Sequence, residues 1–227
     1  MLLAGFMEAL HRLNIFTHIA FGTLALLVGL GPLLARKGGP AHGRLGRWFL
    51  GLVVVVLLSA GLGLAVFNFR PFLTAIVLLT TYQAYAGYRT VPIRASGPTR
   101  RDGLAAAAFL AGGLVFLLAL PRIRLVWSPV VMYSTLGLLL GITSYDLSRY
   151  AWLPRWRRGA WRYEHIWKMV STYGALLSAF SGNVLVNYQP YSQFLPSVLG
   201  VSLALGFMGR TYWQRRRVPV AAGAVVA

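Results

Sequence analysis

Continuous apolar runs of roughly twenty residues recur along the whole chain, and short polar connections separate them. Each run is long enough to cross a hydrocarbon core of about 30 Å as an α-helix that rises about 1.5 Å per residue. The strands of a transmembrane barrel would instead alternate apolar and polar residues over short segments. The pattern therefore predicts an all-α fold, one polytopic transmembrane helical bundle of about seven helices, over residues 14–34, 48–67, 72–88, 104–120, 129–145, 165–187 and 197–212.

Prolines support several of these boundaries. The Arg70-Pro71 step interrupts an apolar run and separates helices two and three, and Pro121 ends helix four. Pro129 falls in the first turn of helix five, where its missing N–H group is harmless.

Basic residues predict how the helices are oriented. The formal net charge is +18, and the arginines lie almost entirely in short connections, where positive charge marks the cytoplasmic side. The basic segments hold Arg36, Lys37, Arg44 and Arg47; Arg89, Arg94, Arg100 and Arg101; Arg149, Arg155, Arg157, Arg158 and Arg162; and Arg210, Arg215, Arg216 and Arg217. The opposite side holds only Arg12, Arg70, Arg122 and Arg124. This alternation predicts an outer N-terminus, a cytoplasmic C-terminus and a multi-pass membrane protein.

The expected partners follow from the same pattern. The lipid bilayer is the main one, no nucleic acid is expected, and some arginine clusters could touch anionic lipid. Gly137 and Gly141 form a G-x-x-x-G pair in helix five, which we expect to pack inside the bundle, with a homodimer contact as the alternative. The tryptophans fall at or near predicted helix ends, the depth that indole rings prefer: Trp48, Trp127, Trp152, Trp156, Trp161, Trp167 and Trp213.

Histidines near membrane helices are candidate functional residues, because ionisable groups there are costly. His18 and His42 are each followed by a glycine four residues later, Gly22 and Gly46, on the same helical face. That glycine leaves room beside the imidazole for a flat ligand or for another helix.

Two segments resemble a known family. The first runs from His18 through Leu-Val-Gly-Leu-Gly-Pro-Leu and Arg-Lys-Gly-Gly to His42-Gly-Arg-Leu-Gly-Arg, and the second is Glu164-His165-Ile-Trp-Lys-Met169 followed by Tyr173-Gly-Ala. Both are similar to bacterial membrane proteins grouped as domain of unknown function 2306. The resemblance implies a polytopic protein of the bacterial cytoplasmic (inner) membrane without an established activity, and it supplies no catalytic residue.

The predicted topology places two of these histidines at one end of the bundle. His42 precedes helix two and His165 opens helix six, so both belong at the cytoplasmic end and could together bind haem iron or another transition metal. Asp146 and Glu164 belong at the same end and could orient an imidazole N–H group. Met169, one turn after His165, is a candidate soft ligand.

A structural role for the same residues stays open. His42 and His165 could cap helix ends or pack at the interface, and Asp146 could simply pair with Arg149. His18 is expected about one turn into helix one, roughly 25 Å from the cytoplasmic end. We therefore expect His18 to hydrogen-bond a neighbouring helix and not to share a metal with the other two histidines.

Polar side chains in helices three and six could either pack between helices or line a quinone, lipid or solute pocket. They are Thr80, Thr81, Tyr82, Gln83 and Tyr85 in helix three, and Ser171, Thr172, Tyr173, Ser178, Ser181, Asn183 and Asn187 in helix six. We favour the interpretation that these side chains pack between helices.

Three functional hypotheses remain from the sequence. They are a membrane protein that binds a haem or metal cofactor, a transporter or permease for a small molecule or lipid, and a non-catalytic factor that assembles a larger membrane complex. The chain contains no cysteine, no phosphate-binding loop, no H-E-x-x-H motif and no G-x-S-x-G motif. Helix seven also lacks a lysine for a retinal Schiff base, and no catalytic residue is predicted.

Overall fold

The computed structural model describes residues 2–123 and 129–217, without the side chains of Leu2 and Arg217, and contains no β-strand over these ranges. Seven long helices make up the bundle: α1 (Leu2–Leu34), α2 (Pro40–Leu62), α3 (Pro71–Thr90), α4 (Arg100–Ala119), α5 (Pro129–Ser148), α6 (Trp161–Val184) and α7 (Tyr191–Arg217). The predicted all-α bundle of seven helices is confirmed. Arg124 and Trp127, which were assigned to a connection and a helix end, lie outside the described residues.

The predicted starts of the first two helices, at residues 14 and 48, are wrong by several residues. α1 begins at Leu2 and includes an ion pair between Glu8 and Arg12, whose i, i+4 spacing favours helix. α2 begins at Pro40, because proline needs no N–H partner in a first helical turn. The apolar runs therefore locate the middle of α1 and of α2, while each helix begins earlier, among polar residues that precede its apolar run.

Proline also shapes the connections. α2 continues as a π-helical turn over Gly63–Phe67, and Arg70 is extended, as residues before proline usually are. Pro71 then opens α3, so the predicted break at the Arg70-Pro71 step is confirmed. α4 ends at Ala119 and passes into a 3₁₀ turn over Leu120–Arg122 that contains Pro121.

Within the described part of the chain, five helices are long and apolar enough to cross a membrane, over Leu3–Leu34, Pro40–Phe67, Arg100–Arg122, Pro129–Ala151 and Tyr191–Arg216. They make the chain a multi-pass membrane protein. The other two helices, α3 and α6, are more polar and lie deeper in the bundle. α3 packs against α2, α4, α5 and α6, while α6 packs against α1, α3 and α7. At 20 and 24 residues, α3 and α6 are also long enough for a hydrocarbon core of about 30 Å.

The basic connections meet at one end of the bundle, which we call the basic end. Tyr150 donates a 2.7 Å hydrogen bond to the carbonyl of Thr99, so the connections after α3 and α5 touch. Lys37, which follows α1, lies 4.3 Å from the ring centroid of Phe207 in α7. The charge alternation in the sequence thus corresponds to a spatial grouping.

Small residues bring one helix pair close together, but not the pair that the sequence suggested. A Cβ atom built on Gly174 of α6 would lie 3.6 Å from the Cα atom of Gly200 in α7. By contrast, nothing described lies within 4 Å of a Cβ atom on Gly137 or Gly141. The expected packing of this G-x-x-x-G pair inside the bundle is wrong, because that face of α5 is exposed. The homodimer contact stays a prediction.

Candidate functional site

The structure brings His42 and His165 together at the basic end. His42 lies in the first turn of α2, not ahead of the helix as expected, and His165 lies in the second turn of α6, one turn after the helix start that it was expected to form. Their ring centroids are 6.4 Å apart, with the ring planes at 74°. Both side chains are half-buried.

Each imidazole is held at its Nδ1 atom by a main-chain carbonyl group. His42 donates to the oxygen of Pro32 at 3.0 Å, and His165 donates to the oxygen of Gly87 at 3.0 Å. Because a carbonyl only accepts, both Nδ1 atoms carry a hydrogen, which leaves the Nε2 atom of each neutral ring with a free lone pair. This is the tautomer in which a histidine accepts a proton or binds a metal through Nε2.

Both carbonyl groups belong to the last turn of a helix. Pro32 lies two residues before the end of α1, where carbonyl groups lack partners within the helix. Gly87 lies near the end of α3, and the N–H group of Val91 turns to the carbonyl of Tyr88 instead. The imidazoles therefore cap the ends of two other helices, which is the structural role that the sequence left open.

Lys37 shares the carbonyl of Pro32 with His42. Its Nζ atom donates to the oxygen of Pro32 at 2.8 Å and to that of Leu33 at 2.5 Å. Partial burial, and then the nearby Arg210, lower the pKa of Lys37. The C-terminal end of α1 is thus stabilised by two side chains that follow it in the sequence, the cationic Lys37 and the polar His42.

Met169 lies beside the same glycine that holds His165. A Cβ atom built on Gly87 would be 2.8 Å from the Sδ atom of Met169 and 3.0 Å from the Cβ atom of Lys168. α3 and α6 therefore approach closely at this point, and a larger residue in place of Gly87 would force Met169 or Lys168 to shift. Tyr173, one turn further along α6, packs against Phe49 with ring centroids 6.2 Å apart. It belongs to an apolar cluster, not to the histidine pair.

The outer histidines take no part in this site. Nδ1 of His18 lies 3.0 Å from Oγ of Ser59 in α2, which is the expected bond to a neighbouring helix. Because α1 starts at Leu2, His18 lies several turns inside the helix, and the expectation of one turn is wrong. His11 stacks on Phe67, with ring centroids 4.4 Å apart.

Asp146 and Glu164 bind cations, not the imidazoles that they were expected to orient. Nζ of Lys168 lies 2.7 and 2.6 Å from the two carboxylate oxygens of Asp146, and it also donates to Glu164. Arg149 donates to Glu164 at 2.6 Å and lies 3.5 Å from Asp146, which is the pairing considered as the alternative. The two negative charges of Asp146 and Glu164 are thus balanced by the two positive charges of Arg149 and Lys168.

Two neutral donors complete this group. The hydroxyl of Tyr82 donates to Asp146 at 2.5 Å, and the indole N–H of Trp156 donates to Glu164. We call the six residues the buried charge cluster: Tyr82, Asp146, Arg149, Trp156, Glu164 and Lys168. None of them is more than 5% exposed. The cluster links α3, α5 and α6, and its charges are matched, as buried charges must be.

Residue spacing indicates part of this cluster: the Asp146–Arg149 pair was an open alternative, and the Glu164–Lys168 pair could have been recognised in the same way. Asp146 and Arg149 are three residues apart, and Glu164 and Lys168 are four apart, so each pair shares a helical face. Lys168 lies near the start of α6 and is only 1% exposed. Trp156 was placed at the membrane interface, yet it is fully buried, because the chain turns back at Gly159 with φ of 145°.

Some of the polar side chains of α3 and α6 bond within their own helix, while Tyr85 donates to Asp102 of α4 and Oγ of Ser178 lies 2.8 Å from Oγ of Ser197 in α7, so part of the favoured packing between helices is confirmed. The hydroxyls of Thr80, Thr172 and Ser181 each donate to the carbonyl one turn earlier. Gln83 differs, because it is fully buried and neither amide atom has a hydrogen-bond partner. It lies one turn before Gly87 and so faces α6, on the same side as Lys168 and Met169.

Over residues 2–123 and 129–217, no three His, Asp or Glu side chains lie close enough to hold a metal ion. No protein-family model, curated protein or solved structure matches the chain. The resemblance to domain of unknown function 2306 therefore stays a prediction.

Proposed function

We propose that this multi-pass protein of the bacterial cytoplasmic membrane binds a transition metal ion, or the iron of a haem, through Nε2 of His42 and His165. The cytoplasmic side is taken from the clustering of arginines at the basic end. The observation that carries the proposal is that two imidazoles lie 6.4 Å apart by ring centroid, with both Nδ1 atoms tied to main-chain carbonyls.

The two imidazole nitrogens are suitable ligands for a transition metal ion or for haem iron. Metal–imidazole bonds of about 2.0–2.1 Å allow two rings on one ion to have centroids up to about 6.5 Å apart. Two imidazoles at this separation match copper and haem iron. A bound redox metal would supply one-electron chemistry. The residues of the chain hold and orient it, through the carbonyls of Pro32 and Gly87 that fix the rings.

The experiment measures bound metal and the optical spectrum of protein purified gently in detergent. Wild-type protein is expected to carry about one metal ion or haem per chain. His42→Asn and His165→Asn keep a polar side chain beside the carbonyl but lack an imidazole, and both should lose the group. His18→Ala is the matched control and should keep it. If the wild-type protein contains neither stoichiometric metal nor a Soret band, the proposal is wrong and the two histidines serve only to cap helix ends.

A further inference from the structure

Ion pairing inside the protein leaves most of its positive charge without a counter-ion. The chain has 22 Lys and Arg residues and only four Asp and Glu residues. All four acids are occupied: Glu8 by Arg12, Asp102 by Arg89, and Asp146 and Glu164 by the buried charge cluster. Among the described residues, the basic side chains outside these pairs have no carboxylate partner within the protein.

Five such arginines from three chain segments meet at the basic end. We call them the arginine surface: Arg94, Arg157, Arg158, Arg162 and Arg215. All five are exposed. Arg94 follows α3, the next three surround the start of α6, and Arg215 lies in the last turns of α7.

Four of the five guanidinium groups, those of Arg94, Arg157, Arg162 and Arg215, are held in place without being neutralised. Arg157 donates to the carbonyl of Ser96, and Arg215 donates to the carbonyl of Arg158 at 3.0 Å. Arg162 and Arg94 lie 4.7 and 5.7 Å from the ring centroid of Trp161. Carbonyls and an indole ring fix these side chains but carry no net negative charge, so most of the five N–H donors of each guanidinium are left for another partner.

The backbone is shaped to receive one of these arginines. Gly159 has φ of 145°, and a Cβ atom there would lie 2.1 Å from Nη1 of Arg215. A side chain at this position would therefore both strain the backbone and displace the guanidinium. The glycine at position 159 therefore allows the guanidinium group of Arg215 to contact the turn before α6.

We propose that the arginine surface binds the phosphate of anionic phospholipids in the leaflet at the basic end. Arg215 belongs to the last turn of a membrane-spanning segment that ends at Arg216, which places it at the depth of the lipid headgroups. The indole ring of Trp161 marks the same interfacial depth. Arginine binds phosphate through two parallel N–H groups, and several fixed arginines gathered without acids gain most from such a partner. This proposal is independent of the histidine site.

The experiment compares lipid binding by the purified full-length chain and by two matched triple variants. Native mass spectrometry and the thermal unfolding midpoint are recorded with phosphatidylglycerol and with phosphatidylcholine at equal concentration. Wild-type protein should bind phosphatidylglycerol at least tenfold more tightly. Arg157→Gln/Arg158→Gln/Arg215→Gln should lose this preference. Arg36→Gln/Arg44→Gln/Arg47→Gln removes equal charge elsewhere at the basic end and should keep it.

Additional measurements distinguish phospholipid from free phosphate as the ligand and define the results that would overturn the proposal. If glycerol 3-phosphate or inorganic phosphate stabilises the protein as well as the lipid does, the site takes free anions and the lipid proposal is overturned. Equal loss of preference in both triple variants would also overturn it, since the binding would then reflect diffuse charge. If the first triple variant is not monodisperse, Arg215→Gln alone should reduce the preference at least threefold, and an unchanged preference would count against the proposal.

Discussion

The ammonium group of Lys168 lies 2.7 and 2.6 Å from the two carboxylate oxygens of Asp146, and neither side chain is more than 1% exposed. One residue belongs to α6 and the other to α5. The contact therefore joins one of the two helices that lack a long apolar stretch to one of the five helices that are apolar enough to cross a membrane. A charge pair in this position restricts how α6 can rotate against its neighbours.

Removal of Lys168 alone should destabilise the protein strongly. Lys168→Met leaves two buried carboxylates with only Arg149, and the unpaired charge is expected to cost about 3–5 kcal/mol. Lys168→Met/Asp146→Asn restores the charge balance and should recover much of that loss. The measurement is unfolding in detergent, with Arg44→Gln as an exposed control that should behave as wild type. Equal instability of the single and double variants would refute a role of charge balance.

Gln83 and Tyr82 are neighbours whose substitutions should have opposite effects. Gln83→Met removes two buried amide atoms that have no partner, so we expect stability to be unchanged or to rise by about 1 kcal/mol. Tyr82→Phe removes the hydroxyl that donates to Asp146 and should cost about 1–3 kcal/mol. Thermal unfolding midpoints of the two variants test this. A large loss in Gln83→Met would mean that the amide has a bound partner.

Gly87→Ala should separate α3 from α6. The added methyl group would meet Met169 at 2.8 Å and Lys168 at 3.0 Å, and such overpacking is expected to cost about 1–3 kcal/mol. Gly141→Ala is the matched control, because nothing described lies within 4 Å of its added methyl group. Comparison of their unfolding midpoints checks the prediction. Similar midpoints would show that the two helices can readily move apart.

The α4 N-terminus should depend on Asp102. Its carboxylate accepts hydrogen bonds from Arg89 at 2.7 and 3.0 Å and from the main-chain N–H group of Thr99 at 2.8 Å. Asp102→Asn weakens both the ion pair and the capping box, and we expect a loss of about 1–2 kcal/mol. Hydrogen exchange of the first turn of α4 should rise in this variant. Unchanged protection there would contradict the prediction, while Glu8→Gln, at an exposed ion pair, should leave stability nearly unchanged.

The helices were predictable because each one depends on its own residues, whereas the charge cluster depends on how helices rotate against one another. Continuous apolar runs located α2 and α4, and the alternation of arginines placed His42 and His165 at one end. The same reasoning could not decide whether Asp146 faces an imidazole or Lys168. α5 is apolar on nearly every side, so its sequence has no periodic pattern that fixes which face turns inward.

Trp156 illustrates a second limit. Its position next to several arginines resembles an interfacial tryptophan, and its burial depends on the turn at Gly159, which sequence patterns did not reveal. The donor role of Trp156 toward Glu164 follows only once that turn is known.

The polar character of α6 has a consequence for biosynthesis. A segment with Glu164 and Lys168 in its first turns enters the hydrocarbon phase poorly by itself, since both charges would lose their hydration there. Their counter-charges, Asp146 and Arg149, come earlier in the chain and so leave the ribosome first. We expect α5 to wait beside the insertion machinery until α6 arrives, so that the two enter the lipid as a charge-neutral pair.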